Sequence, residues 1–180
     1  MAKKLDKIIV IDVEATCWNT APPLGMTNDI IEFGICLLDI HSGEISENRG
    51  ILVIPERSEI SEFCTELTTI TPEMIRNEGI SFKEACSIIK KEYEGQSRVW
   101  ASFGAYDLKH IQRQCSELGV GYPLGPSHIN VKTLFALKNK LGHEKGMDGA
   151  LQHLRIELEG THHRGVDDAK NIAKILRTLL

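Results

Sequence analysis

Asp12, Glu14, Asp107, His163 and Asp168 are the side chains whose types and placement suit one kind of chemistry, a hard-metal centre acting on phosphate. Asp12 lies near the end of an apolar run, KIIVIDV over Lys7–Val13, that reads as a buried strand continuing into Glu14. The end of such a strand is where an α/β protein presents its chemistry. Two positions apart on a strand, Asp12 and Glu14 share one face while Val13 points to the core. Carboxylates this close resist joint ionisation, and a divalent cation removes the conflict. Hard oxygen donors suit Mg²⁺ or Mn²⁺. Taken alone, however, an acidic alternation at a strand end is often only a surface pattern.

The other members need the same weighing. Asp107 follows Gly104 at an expected strand-to-helix junction, where an aspartate serves equally as a helix cap. In the segment His163-Arg164-Gly165-Val166-Asp167-Asp168, the histidine sits in a glycine-bearing loop and Asp168 in the first turns of a helix. That arrangement offers a mobile imidazole, titrating near neutrality and able to take a proton from water, beside a rigidly held carboxylate. Asp167 and Asp168 also suit a helix N-terminus by charge alone. His162 is either structural or a second candidate; the five-residue gap to Asp168 favours His163.

These residues need a frame that joins positions 12 and 168. With 180 residues and 42% hydrophobic content, the chain reads as one globular domain over 1–180. Lys7–Glu14, Asp29–Ile40 and Glu44 to about Ile54 predict three sequential antiparallel strands. A turn at His41-Ser42-Gly43 separates the second and third, and Pro55 ends the third. Short helices are expected at Ser61–Glu66 and after the Thr71-Pro72 start. A capping box at Ser81–Glu84 opens a helix to about Tyr93 that packs Ala85, Ile88 and Ile89 inward. Arg98–Phe103 suits a central parallel strand, followed by a helix over Tyr106–Leu118 ended by Gly119. A strand at His128–Val131 then precedes helices near Lys132–Lys140, Gly146–Leu154 and Gly165–Leu180. The order predicts an α/β fold with a mixed sheet, three antiparallel strands then parallel ones, flanked by helices.

Composition narrows the function classes. The net charge of −4 argues against a protein that coats nucleic acid generically. Its distribution is uneven: residues 1–97 carry 9 Lys/Arg against 17 Asp/Glu, and residues 98–180 carry 12 against 8. The basic second half reads either as phosphate-contacting surface or as solvated helix faces. Cys17, Cys36, Cys64, Cys86 and Cys115 form no CxxC pair, so reduced structural thiols are expected. The apolar runs are too short to span a bilayer, and Met1-Ala2-Lys3-Lys4 leads straight into a strand with no signal-peptide pattern. A cytoplasmic location and no membrane partner are the resulting expectations.

In combination, Asp12-Val13-Glu14-Ala15-Thr16, Asp107 and His163–Asp168 resemble the three motifs of the DEDDh family of 3′–5′ exonucleases, in family order over almost the whole chain. Asp12–Cys17 (DVEATC), Ile30–Phe33, Cys64–Thr68 with Ile70-Thr71, and Asp167–Ala173 are similar to the branch of histone-mRNA 3′ exonuclease and the enhanced-RNAi exonucleases. Ala105 and Thr69 depart from that branch, where an acidic residue and a glycine are frequent. The resemblance implies a ribonuclease-H-like fold and a mechanism with two Mg²⁺ ions, for which Mn²⁺ can substitute. Asp12 would bridge both ions, Glu14 and Asp168 would complete one site, and Asp107 would support the other. His163 would be the general base. It also implies a terminal base gripped near Leu67 and Tyr106, with Ala15 and Thr68 lining the sugar pocket beside Thr16. The alternative for Leu67 and Tyr106 is that they are core residues, as most Leu and many Tyr are. Single-stranded nucleic acid, RNA favoured over DNA, is the implied partner, and nucleoside 5′-monophosphate the implied product. A DNA exonuclease of proofreading type, a non-catalytic binding module and a small-substrate phosphatase are the competing readings. The sequence leaves the oligomeric state open.

Overall fold

A computed structural model describes residues 3–180; Met1 and Ala2, the start of the basic N-terminal stretch, lie outside the described residues. Five strands form one mixed sheet in the order β3-β2-β1-β4-β5. β1 (Lys4–Ala15) is central, antiparallel to β2 (Ile30–Asp39), which is antiparallel to β3 (Ile45–Leu52). On its other side β1 runs parallel to β4 (Arg98–Ser102), which runs parallel to β5 (His128–Asn130). The expected mixed sheet is therefore present.

Alternation along β1 feeds two cores. Ile9, Ile11 and Val13 face a cluster containing Phe33, Trp100 and Ile111, covered by α3 (Phe82–Lys91) and α4 (Tyr106–Leu118). Ile8 and Val10 face the opposite cluster, built on α5 (Val131–Lys138), α6 (Met147–Leu154) and α7 (Gly165–Arg177). A third cluster under α1 (Glu62–Thr68) and α2 (Pro72–Glu78) joins Ile31 and Leu52 to Cys64, Ile70 and Ile75. Ile8 and Val10 set the phase that puts Asp12 and Glu14 on the α7 side of the sheet.

The caps read from the sequence at Thr71 and Ser81 are in place, each accepting the amide N–H three residues on, and Ser61 does the same for α1. Gly119 ends α4 in the left-handed conformation, φ +63°. Boundaries shift where tertiary contacts decide them. β1 starts at Lys4, three residues early, because the Lys4 amide donates to the Ser97 carbonyl at 2.9 Å. α3 stops at Lys91 rather than Tyr93, since Tyr93 turns into the core and its hydroxyl donates to the Glu47 carbonyl. β5 ends at Asn130, one residue early, where the asparagine side chain caps α5 by accepting the Thr133 amide. All five cysteines are free thiols. No helix among the described residues is long and apolar enough to cross a membrane.

Candidate active site

A cleft of about 270 Å³ opens at the C-terminal end of β1, lined by Asp12, Glu14, Phe103, Tyr106, Asp107, Met147, His162, His163 and Asp168 among others. The five residues singled out from the sequence thus converge from β1, α4 and the α7 entry. Carboxylate oxygens of Asp12, Glu14 and Asp168 lie within 4.8 Å of one another. Asp107 does not cap its helix: Ala105 occupies the cap position without a side-chain bond, and Asp107 Oδ1 accepts the Val13 amide at 3.0 Å. That bond crosses from α4 to the segment between Asp12 and Glu14, fixing the third carboxylate against the first two.

Asp168 is brought in by the seating of α7. Gly34 on β2 faces Gly165, the first residue of α7, so closely that a Cβ at Gly34 would fall on the Gly165 carbonyl. Only two glycines permit this approach. Glu32, fully buried two residues earlier on β2, accepts the Gly165 amide at 2.8 Å and takes the Arg164 guanidinium at 3.3 Å. Glu32 pairs directly with Glu14 across the sheet, a like-charge pairing that is unfavourable by itself and that Arg164 offsets. Asp167 closes the preceding loop by accepting the Thr161 amide at 2.8 Å. His163 has φ +64°, an uncommon left-handed conformation for a side-chain-bearing residue. Its backbone amide donates to Asp168 Oδ2 at 2.9 Å.

The electrostatics are those of crowded anions. Burial first, then the charges of Asp107, Glu14, Asp168 and Glu32, raise the Asp12 carboxyl well above its ordinary range. Burial, Asp168, Glu32 and Asp107 push Glu14 up to about 9. Burial raises Asp107 to about 6 against the lowering effect of the Val13 amide. Asp168 is also raised by burial, moderated by the His163 amide and His162. His163 is lowered, by burial and then by the neighbouring His162. A buried set of oxygen donors held in mutual repulsion fits a hard divalent cation, which would neutralise all of them together.

The expected substrate residues divide. Tyr106 is 59% exposed and lines the cleft, so the core reading of it does not hold. Leu67 is 36% exposed but, like Ala15, is not among the residues lining this cleft. Thr16 and Thr68 are both fully buried. The Thr68 hydroxyl donates to the Cys64 carbonyl and accepts the Ile70 amide. The Thr16 hydroxyl accepts the Asp29 amide and contacts Ser58. Their side chains hold α1 and the loop after β1 in shape rather than forming a free polar wall. Sequence reasoning missed the supporting roles of Glu32, Gly34 and Asp29. A charged residue inside the otherwise apolar run IIEFGICLL was the signal available for Glu32. Asp29 is fully buried and accepts the backbone amides of Glu56 and Arg57 and the Arg57 guanidinium, tying the loop at 56–57 to the start of β2.

Comparison with known proteins gives this geometry its relatives. The chain is 32% identical to rat 3′-5′ exoribonuclease 1 over 184 residues, covering 97% of this chain and 53% of that protein. It is 33% identical to mouse ERI1 exoribonuclease 2, covering 92% of this chain and 27% of that one. The chain therefore spans between about a quarter and a half of the length of these relatives. The nuclease domain of 3′hExo, a DEDDh family member solved bound to rAMP, superposes with a TM-score of 0.85 at 29% identity, covering 98% and 93% of the two chains. With the exonuclease model RNase_T matching residues 9–176, the chain belongs to that exonuclease family, in its DEDDh branch.

Proposed function

We propose that this chain is a metal-dependent 3′–5′ exonuclease that removes nucleoside 5′-monophosphates from single-stranded RNA or short oligonucleotides. The observation that carries the proposal is the convergence of four carboxylates and an imidazole, from three separate elements, on one open cleft. The likeness to rat 3′-5′ exoribonuclease 1 and to 3′hExo supports RNA as the preferred substrate.

Asp12, Glu14, Asp107 and Asp168 would hold two Mg²⁺ ions, with Mn²⁺ a competent substitute. Bound there, the ions supply Lewis acidity and neutralise the charge that builds on the scissile phosphate and the leaving 3′ oxygen. The chain's own residues do the rest. Glu32, Gly34 and Gly165 orient α7 so that Asp168 meets β1. A ring nitrogen of His163 accepts the proton of the attacking water; its lowered pKa keeps the imidazole neutral, and so able to do this, at pH 7. Tyr106, exposed at the cleft, offers a ring on which the terminal base stacks irrespective of its identity. Ala15, Thr16, Leu67 and Thr68 contribute the neighbouring framework, Thr16 and Thr68 through their backbone rather than their buried hydroxyls.

The test uses a 5′-labelled single-stranded RNA and its DNA twin, with Mg²⁺, with EDTA, and with His163→Ala. A metal-dependent ladder shortening from the 3′ end, lost in the variant and faster on RNA, is the expected result. A ladder faster on the DNA twin would move the substrate class. No ladder on either strand would leave a binding role or a small phosphoester as the function.

A further inference from the structure

His162 stands beside the proposed base and makes a separate set of contacts. Its Nδ1 is 3.0 Å from Asp168 Oδ2, and its Nε2, on the far side of the ring, is 3.8 Å from Asp148 Oδ2 on α6. Its ring lies over that of His163, with centroids 4.0 Å apart and planes 23° from parallel. One nitrogen from each imidazole and one oxygen of Asp168 all fall within 4.8 Å of one another. This donor set is two nitrogens and one oxygen, unlike the all-oxygen set of Asp12, Glu14 and Asp168 beside it.

The difference selects the ion. Mg²⁺ takes oxygen donors and dehydrates reluctantly, whereas imidazole suits Zn²⁺, bound by His nitrogen at about 2.0–2.1 Å with a carboxylate as a common third ligand. Tetrahedral ligands at that distance sit about 3.3 Å apart, so zinc binding would turn the partly exposed rings out of their stack to bring both nitrogens onto one ion. Zinc-binding histidines usually direct their second nitrogen at an outer carboxylate, which fixes the ring. Asp148 stands at that position for His162.

We propose that His162, His163 and Asp168 form a Zn²⁺ site, with Asp148 as its outer partner, whose occupation switches the exonuclease off. Zinc held there takes the His163 lone pair that would accept the proton and one carboxylate of the Mg²⁺ set. The inhibitory part rests on the exonuclease reading above; the binding part stands without it. The doubled histidine supplies the second nitrogen donor that a single histidine in this loop would lack.

Calorimetric titration of Zn²⁺ into the protein in excess Mg²⁺, for wild type, His162→Ala and Asp148→Asn, is paired with the 3′-shortening assay across a zinc series. One zinc per wild-type chain is expected. Both variants should bind it at least about tenfold more weakly, in line with the loss seen when a metal site loses a supporting group. Zinc should suppress the wild-type ladder, and His162→Ala should need about ten times more zinc to lose the same fraction of its own Mg²⁺-only rate. Asp148 is exposed, so its substitution leaves folding intact and keeps the titration decisive if His162→Ala misfolds. Equal zinc affinity in wild type and variants would overturn the site, and a zinc-loaded wild type that still shortens RNA would overturn the inhibition. If wild type makes no ladder in Mg²⁺ alone, the exonuclease reading fails while the titration still decides whether zinc binds.

Discussion

Replacing Glu14 with glutamine should stabilise the metal-free protein, and only above acidic pH. The Glu14 carboxyl ionises near 4.5 in the unfolded chain and is held up to about 9 in the folded one, by burial and by Asp168, Glu32 and Asp107. A carboxyl whose folded pKa is raised keeps its proton in the folded state after the unfolded state has lost it. Stability therefore falls as pH rises, from about 4.5 towards about 9, by about 1.4 kcal/mol per pH unit. Between pH 4.5 and 7 this amounts to about 3 kcal/mol. Glutamine, isosteric with the protonated form, has no such cost. For a chain of this size, about 3 kcal/mol corresponds to roughly 6–12 °C in Tm. Thermal unfolding of wild type and Glu14→Gln in EDTA at pH 4.5, 7 and 8.5 measures this directly. The curves should coincide at pH 4.5 and separate steadily above it, the variant melting higher. Adding Mg²⁺ at pH 7 should raise wild type much more than the variant, because the ion relieves a repulsion the variant lacks. Equal melting of the two proteins in EDTA at pH 8.5, or a gap independent of pH, would refute the account of crowded anions.

Three further outcomes follow from the same geometry. Gly34→Ala should cost about 2–3 kcal/mol or more, since its Cβ would fall on the Gly165 carbonyl and lever α7 away; urea unfolding reads the loss, and Mg²⁺ affinity should fall with it as Asp168 retreats. Tyr106→Ala should raise KM for oligonucleotides by about tenfold, the equivalent of about 1.4 kcal/mol of base stacking, with little change in unfolding because the ring is largely exposed; an unchanged KM would remove Tyr106 from the substrate path. Activity should decline as pH falls through a value below His163's ordinary 6.5, because burial and His162 lower its pKa and the base must be unprotonated to act. A kcat–pH profile whose acid limb persists unaltered in residual His163→Gln activity would assign that limb to another group.

The resemblance to the DEDDh motifs is what grouped the carboxylates with the histidine, whereas the sequence by itself determined the element types and the order of the sheet's antiparallel and parallel parts. These are set by local rules: strand alternation at Ile8–Glu14, caps at Ser61, Thr71 and Ser81, and glycine at the end of α4. The tertiary structure decided what those residues touch. Asp107 reads as a cap until its bond to the Val13 amide ties α4 to β1, 94 residues away. The Thr16 and Thr68 hydroxyls bond to the Asp29 amide and the Cys64 carbonyl, partners that packing supplies. His162 gains its meaning only when α6 presents Asp148 to its far nitrogen. Glu32 and Gly34 carry no local signature of the helix they seat, because Gly165 is 131 residues from Gly34 and only the folded sheet makes them neighbours. A short-range pattern encodes backbone conformation and face; a contact between distant segments is an outcome of packing, and this site is assembled from such contacts.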